Sequence, residues 1–449
     1  MRTKPWLTVA RVFALLFCTS FALIWTTSRL ATRLPNETRR EAIVETLSEM
    51  QASNGSFVGS YQMANYDVIS GTSIDLNTLA CLNSLDRVDS EKAVDYIVTS
   101  QNTTTGGFPD RYLTYGELGT PWVATSTLKS VNSSSRLHRS LVDFVAQRYN
   151  ATEGAFHEPT FEPNVKKVIN CHFNMIFHGN SEAWTAYAKN NVISTFLATD
   201  ILRNLGALDR INITKTVGWI LSCMTDNGGF GPFPNPRGEP YAPYWADNPF
   251  TVDSYGAGVA YTYAALGALN ALDGIDSLTP EQKEQAIDYV LSCQHARGCF
   301  VSIPEYATGP VEITPEDDNT FFTYYAIMAL QYLNAMSRAE EQVTGAESWL
   351  LSQQDLGNTD PSTYGLAYGL SPEGGARDIV LCLNASGRLH LLEALTPRAL
   401  QQRFMIISTS TASALATFLI VIAVPSIVKR IRKPQQHEGK GESENTSTV

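Results

Sequence analysis

The sequence predicts an all-α protein of six helical-hairpin repeats, on three observations. Apolar runs of helical periodicity recur along the chain. Most are followed within a few residues by a glycine–phenylalanine turn, and a second helical run follows each turn after a loop. The turn phenylalanines Phe57, Phe108, Phe156, Phe230 and Phe300 lie 51, 48, 74 and 70 residues apart, the span of one hairpin plus a variable loop. Self-similarity at such a period marks stacked units, each burying on its neighbours the apolar face it cannot bury alone.

The elements follow in order. Residues 1–30 read as a signal peptide or signal anchor: Arg2, Lys4 and Arg11 precede the apolar run Val12–Trp25, whose 14 residues are short for a membrane span. The repeats occupy 41–395. The first pairs Ile43–Gln51 with Asp75–Leu82 across Asn54-Gly55-Ser56-Phe57, and the second pairs Val94–Gln101 with Trp122–Val131 across Gly106-Gly107-Phe108. The third pairs Leu141–Gln147 with Asn191–Leu205 across Glu153-Gly154-Ala155-Phe156 and a long insertion. The fourth, Val217–Leu272, turns at Gly228-Gly229-Phe230. The fifth pairs Ala286–Gln294 with Thr320–Leu333 across Gly298-Cys299-Phe300, and the sixth pairs Ala346–Gln354 with Arg377–Leu395 across a degenerate Gly/Tyr-rich turn. Glycine is expected where the chain reverses with positive φ, and the phenylalanine after it is expected to plug the gap between hairpins.

Phe404–Val428 carries no charged residue over 25 positions and runs into Lys429-Arg430-Ile431-Arg432-Lys433. That pattern predicts a transmembrane helix with its basic flank in the cytoplasm, a cytoplasmic disordered tail at 429–449, and a cell-membrane protein whose repeats are extracytoplasmic. Asn36, Asn54, Asn102, Asn132, Asn150, Asn212 and Asn384 fall in the exterior segment as Asn-x-Ser/Thr, as expected of a glycoprotein. The net charge of −11, with no basic cluster outside the tail, excludes a nucleic-acid partner.

Four runs carry a family resemblance: Ile97–Gln101 with Gly106-Gly107-Phe108, Leu221-Ser222-Cys223 with Gly228-Gly229-Phe230, Leu291–Gln294 with Gly298-Cys299-Phe300, and the Thr-Tyr-x-Ala helices at Thr262 and Thr323. They resemble the (α/α)6 toroid of protein prenyltransferase β subunits and terpenoid cyclases, in which one ring of helices encloses another and ligands enter a central funnel. In the prenyltransferases an Asp, a Cys and a His hold zinc. The corresponding positions here are Asp253, Tyr255 and Phe322, so only the aspartate is present, and no metal or other cofactor is expected. Squalene- and diterpene-type cyclases use an aspartic acid in an Asp-x-Asp-Asp motif to protonate an alkene. The nearest stretch is Glu316-Asp317-Asp318-Asn319, which makes Asp318 the candidate acid in a setting of Glu316 and Asn319. The alternative for Asp318 is a helix cap, the role also expected of Asp75, Asn191 and Asp253.

Aromatic residues gather where the funnel mouth is expected. Trp122, Tyr244, Trp245 and Tyr255 join Phe321, Phe322 and Tyr324 as candidate ligand-binding residues, with Asp253 beside them; their faces can hold isoprenoid chains or stabilise cations. The alternative is interhelical packing. The 157–190 insertion contains His157, Cys171, His172 and His178 without a recognisable second ligand pair, and a loop packed over the mouth is expected. Cys293 and Cys299 flank one turn, either as a disulfide or as two free thiols. Three functions remain open: an extracytoplasmic, membrane-anchored protein binding an apolar or isoprenoid-like ligand, with or without cyclase-like acid chemistry; a non-catalytic surface scaffold for a protein or glycan; and a zinc prenyltransferase, which lacks two of its three ligands.

Overall fold

The computed structural model describes residues 38–57, 68–108, 118–157, 167–170, 175–178, 190–234, 258–308, 320–356, 372–396, 399–405 and 408. They belong to two compact units, residues 39–394 and residues 1–38 with 395–449.

In the larger unit twelve helices of seven residues or more alternate between an outer and an inner set among the described residues. The outer helices are α1 (Arg39–Glu49), α3 (Ser90–Thr99), α5 (Ser140–Ala146), α7 (Ile213–Leu221), α9 (Pro280–Ser292) and α11 (Glu340–Leu356). The inner helices are α2 (Val68–Cys81), α4 (Gly119–Ser130), α6 (Val192–Asn204), α8 (Val259–Ala271), α10 (Thr320–Tyr332) and α12 (Pro372–Ala385). Each inner helix packs on the next, and α12 packs back on α2, so the inner set closes on itself. The outer helices lie against this ring: α7 on α8, α9 on α8 and α10, α11 on α10 and α12, and α1 on both α12 and α2. Position in the ring explains composition. Helix α8 has neighbours on both flanks and outside, and every residue from Val259 to Leu269 is buried; a helix apolar all round is a core helix.

One pattern of contacts joins successive hairpins. The turn glycines Gly55, Gly106, Gly154, Gly228 and Gly298 have φ between 86° and 101°. Each lies against the next outer helix, so closely that a Cβ on Gly106 would stand 2.1 Å from the Ser140 carbonyl oxygen and one on Gly228 2.4 Å from that of Gln285. The expected plug is present: all five turn phenylalanines are at most 2 % exposed. Four of their backbone N–H groups donate to a buried threonine hydroxyl on the following inner helix, Phe57 to Thr72 (3.0 Å), Phe156 to Thr195 (3.1 Å), Phe230 to Thr262 (3.0 Å) and Phe300 to Thr323 (3.0 Å). At the end of the outer helix a glutamine side chain clamps the turn to the next repeat. Gln101 Nε2 donates to the carbonyls of Gly106 (3.0 Å) and His138 (3.1 Å), and its Oε1 accepts from His138 N–H (2.7 Å). Gln51 and Gln294 act in the same way on Asp89 and Gln342. In the third repeat Tyr149 takes this place, its hydroxyl accepting from Asn212 N–H at 3.2 Å.

The inner helices end alike. Asn83, Asn132, Gly206, Asp273, Asn334 and Gly387 all have positive φ, from 50° to 73°. The next residue's N–H reaches back to a leucine carbonyl five positions earlier: Ser84 to Leu79, Ser133 to Leu128, Ala207 to Leu202, Gly274 to Leu269, Ala335 to Leu330 and Arg388 to Leu383. This is the Schellman closure, which satisfies carbonyls that the helix leaves without partners.

Several expectations need correction. Asp75 does not cap an inner helix; it lies inside α2, fully buried, because that helix begins at Val68. Asn191 does cap α6, its Oδ1 accepting from Ser194 N–H at 2.8 Å. The sixth inner run is the helix Pro372–Ala385 followed by a 3-10 turn, Leu389–Glu393. The fold is mostly rather than wholly helical. Strands β1 (Tyr149–Asn150) and β2 (Ala155–Phe156) pair at the third turn, and β3 (Lys167–Asn170) pairs with β4 (Met175–His178) within the insertion. Cys293 and Cys299 are buried thiols, and Cys293 Sγ donates to the Tyr289 carbonyl at 3.4 Å.

In the smaller unit Thr38 bridges Leu395 and residues 399–405 are helical. Leu400, Phe404 and Met405 are exposed there. Among the described residues no helix is long and apolar enough to cross a membrane. The expected signal segment at 1–30 and all of 404–428 except residues 404, 405 and 408 lie outside them.

Candidate functional site

Partly exposed residues recur at helical spacing along the inner helices, as Trp122, Ser126 and Lys129 on α4, as Asp200, Arg203 and Asn204 on α6, and as Tyr324, Met328 and Tyr332 on α10.

An aromatic row crosses four consecutive inner helices. Trp122 on α4 meets Phe196 on α6 edge-on, with centroids 5.4 Å apart, and Phe196 meets Tyr263 on α8 at 5.1 Å. The Tyr263 ring is nearly parallel to Tyr325 (4.8 Å, 11°) and to Tyr332 (6.1 Å, 14°) on α10. Those two tyrosines are one heptad apart on one helix face, so Tyr263 fits between them as a knob into a hole. Tyr324 lies 6.0 Å from Tyr263 at a tilt. The origin is the repeat itself. Phe196, Tyr263 and Tyr324 each follow the threonine that holds the turn, Thr195, Thr262 and Thr323, so the hairpin frame delivers an aromatic ring to the same place on three neighbouring helices.

A carboxylate closes the row. Asp200 Oδ2 accepts from Trp122 Nε1 at 2.8 Å, Asn204 Nδ2 at 3.2 Å and Ser126 Oγ at 3.3 Å. Burial pushes its carboxyl above the ordinary range; hydrogen bonds from Trp122 and Ser126, then the charges of Lys129 and Arg203, pull the other way. Burial likewise raises Tyr263 well above its usual value, reinforced by Tyr324, Tyr332, Tyr325 and Asp200. Tyr332 is raised by burial and by Asp200, against a hydrogen bond with Tyr263. The Tyr263 and Tyr332 phenols are therefore neutral at physiological pH. Asp200 is the carboxyl of the row, and its burial favours the protonated form.

Among the candidates from sequence, Trp122 and Tyr324 belong to this row, and Phe322 adjoins it with its ring 6.3 Å from Tyr325. Phe321 is the second residue of α10, but its side chain is not among those described. Asp318, Glu316, Asn319, Asp253, Tyr255, Tyr244 and Trp245 also lie outside the described residues. So do Cys171 and His172, and among the described residues no group of His, Cys, Asp and Glu could hold a metal. Phe196, Asp200, Tyr263, Tyr325 and Tyr332 were not singled out from sequence. Aligning the repeats on the threonine would have found the first and third, whereas Asp200 comes to Trp122 across 78 residues with no local signal.

No curated protein matches this chain. Among solved structures, the type II terpene cyclase MstE from Scytonema, solved with geranylgeranyl dihydroxybenzoate, is similar over 78% of this chain and 97% of its own, at 15% identity and a TM-score of 0.50. The protein geranylgeranyltransferase-I of Candida albicans, complexed with GGPP, is similar over 82% and 98%, at 13% identity and 0.50. At such identity these likenesses speak for the fold. The family model for the prenyltransferase alpha-alpha toroid domain matches residues 8–158, 164–359 and 252–440. With the closed inner ring and the repeated turn, this shows that the chain belongs to the prenyltransferase α/α-toroid family.

Proposed function

We propose that this protein is a membrane-anchored, extracytoplasmic toroid that binds an apolar, isoprenoid-like chain along its inner helices. The observation that carries the reading is the row from Trp122 to Tyr332, an aromatic row partly exposed at Trp122, Tyr324 and Tyr332, with one carboxyl beside it at Asp200. Support comes from two solved toroids of the same fold, each holding a geranylgeranyl compound. The anchoring part rests on the uncharged stretch 404–428 and its basic flank.

Acid chemistry on such a ligand needs a carboxylic acid that keeps its proton. Asp200, whose carboxyl is shifted by burial above its ordinary range, is one candidate, and Asp318, with Glu316 and Asn319, is the candidate from motif position. Asp253, Tyr244, Trp245, Tyr255 and Phe321 complete the proposed lining. A second reading has its own observation: Tyr263 is enclosed by its neighbours, so part of the row fills itself. Under that reading the toroid is a non-catalytic scaffold whose surface binds a protein or glycan.

Native mass spectrometry with lipid extraction on the detergent-purified protein separates the two. A co-purifying isoprenoid lost in a Trp122→Ala variant is expected; an empty protein in both sinks the lipid reading. A changed extracted product in Asp200→Asn or in Asp318→Asn identifies the acid, and identical products in both make the site purely a binding site.

A further inference from the structure

Four asparagines in Asn-x-Ser/Thr sequences share one side-chain geometry. Asn102 Oδ1 accepts from the backbone N–H of Thr104 (2.9 Å) and Thr105 (3.0 Å). One repeat later, at the equivalent place, Asn150 Oδ1 accepts from Thr152 (3.0 Å) and Glu153 (3.2 Å). Asn54 Oδ1 accepts from the N–H and hydroxyl of Ser56 (3.1 and 2.8 Å), and Asn212 Oδ1 caps α7 through Lys215 N–H (3.0 Å). In all four the oxygen is occupied with the fold, while the amide nitrogen donates no hydrogen bond among the described residues. Asn54, Asn102 and Asn212 are exposed and Asn150 is half-exposed. Asn227, which lies in no such sequence, also accepts only through Oδ1, from Thr225 Oγ1 (2.6 Å) and Gly229 N–H (3.2 Å), whereas three others use their nitrogens: Asn191 Nδ2 donates to Ser194 Oγ (2.9 Å), Asn204 Nδ2 to Asp200 (3.2 Å) and Asn190 Nδ2 to Glu153 (2.7 Å). None of these has Ser or Thr two positions on.

We propose that Asn54, Asn102, Asn150 and Asn212 carry N-linked glycans, an inference that rests on the extracytoplasmic placement proposed above. In the transfer the amide nitrogen attacks the anomeric carbon of an oligosaccharide carried on a lipid diphosphate. A nitrogen–carbon bond forms, the bond from that carbon to the diphosphate oxygen breaks, the lipid diphosphate leaves with the electron pair, and the amide releases one proton. The hydrogen replaced makes no bond in the fold, and every Oδ1 acceptor survives. The third and fourth repeats offer more. An open concavity of about 630 Å³ at their seam is lined by Tyr149, Ala151, Arg210, Asn212 and the exposed Ile213. Asn150 follows Tyr149 directly, so sugars on Asn150 and Asn212 would flank one hollow of mixed polar and apolar lining.

The test is translation of the full chain with endoplasmic-reticulum microsomes, read as gel mobility before and after endoglycosidase. Single variants Ser56→Ala, Thr104→Ala, Thr152→Ala and Thr214→Ala remove each acceptor sequence and keep each Asn. Loss of one mobility step in each variant is expected, and a site whose variant loses none is struck from the assignment. Protease added to the sealed vesicles separates the two ways of failing. A protected toroid with no step lost in any variant overturns the glycan proposal alone, whereas a digested toroid overturns the extracytoplasmic placement together with it.

Discussion

At Asp200 burial fixes the sign of a pH dependence. Its carboxyl binds a proton more readily in the fold than in the unfolded chain. The stability contributed by that proton is complete below the ordinary value of 3.8 and is lost as pH rises through the raised folded value. Asp200→Asn keeps an oxygen for Trp122 Nε1 and removes the titration. Melting from pH 4 to pH 7 is therefore expected to show a flatter Tm profile in the variant, with a Tm at pH 7 no lower than that of the parent; a lower one would mean that the ionised form stabilises the ring. Gly228 makes the other demand at this scale. Alanine there must accept a φ of 91° and place its Cβ 2.4 Å from the Gln285 carbonyl oxygen. The left-handed conformation alone costs ~1–2 kcal/mol, and the overlap adds to it, so urea unfolding of Gly228→Ala should show a loss of ~2 kcal/mol or more.

Among elements, the joint between hairpins is built from a few polar side chains. Thr195 Oγ1 accepts from Phe156 N–H and donates to the Asn191 carbonyl at 2.8 Å, wholly buried. Thr195→Val preserves shape and leaves that N–H without a partner, a loss expected at ~1–3 kcal/mol in denaturant unfolding. Gln101→Leu removes three hydrogen bonds at one joint and should cost at least as much. These joints explain what the sequence made legible. The Gly–Phe turn could be read because it needs one rare backbone conformation and one bulky plug at adjacent positions. It marked five repeats, while the ends of the inner helices mark all six through a leucine followed four positions later by Asn, Asp or Gly, as in Leu128 to Asn132 and Leu383 to Gly387. Helix starts were harder. Asp75 looked like a cap because Asp favours that role, yet α2 continues seven residues upstream of it through Val68-Ile69-Ser70-Gly71, a stretch with no helical signature of its own that is held by its ring neighbours. The site was legible only in part for the same reason: Trp122 and Tyr324 stand out as aromatics at helix starts, but the partnership of Trp122 with Asp200 is a tertiary fact.

On the scale of the whole unit, closure is carried by contacts between its first and last repeats. Arg39 N–H donates to the Ala394 carbonyl at 2.9 Å, Arg39 Nη1 donates to the Leu351 carbonyl at 3.0 Å, and Arg40 pairs with Glu393 at 2.8 Å. Both flanks of α2 are covered, by α4 and by α12. Deleting residues 372–394 would strip α12 from α2 and α10 together. The expected outcome is loss of the cooperative melt by circular dichroism, rather than the graded loss an open array of repeats would show.

The meeting of Arg39 with Ala394 also means that no hairpin is intrinsically first. The order in which the chain visits the repeats is a matter of where it happens to be cut, because α12 packs on α2 as every other inner helix packs on its neighbour. A circular permutant that links Ala394 to Arg39 through a short glycine-rich bridge, and opens the exposed connector between Asp276 and Ser277, should regain the parent's helical spectrum and its single transition.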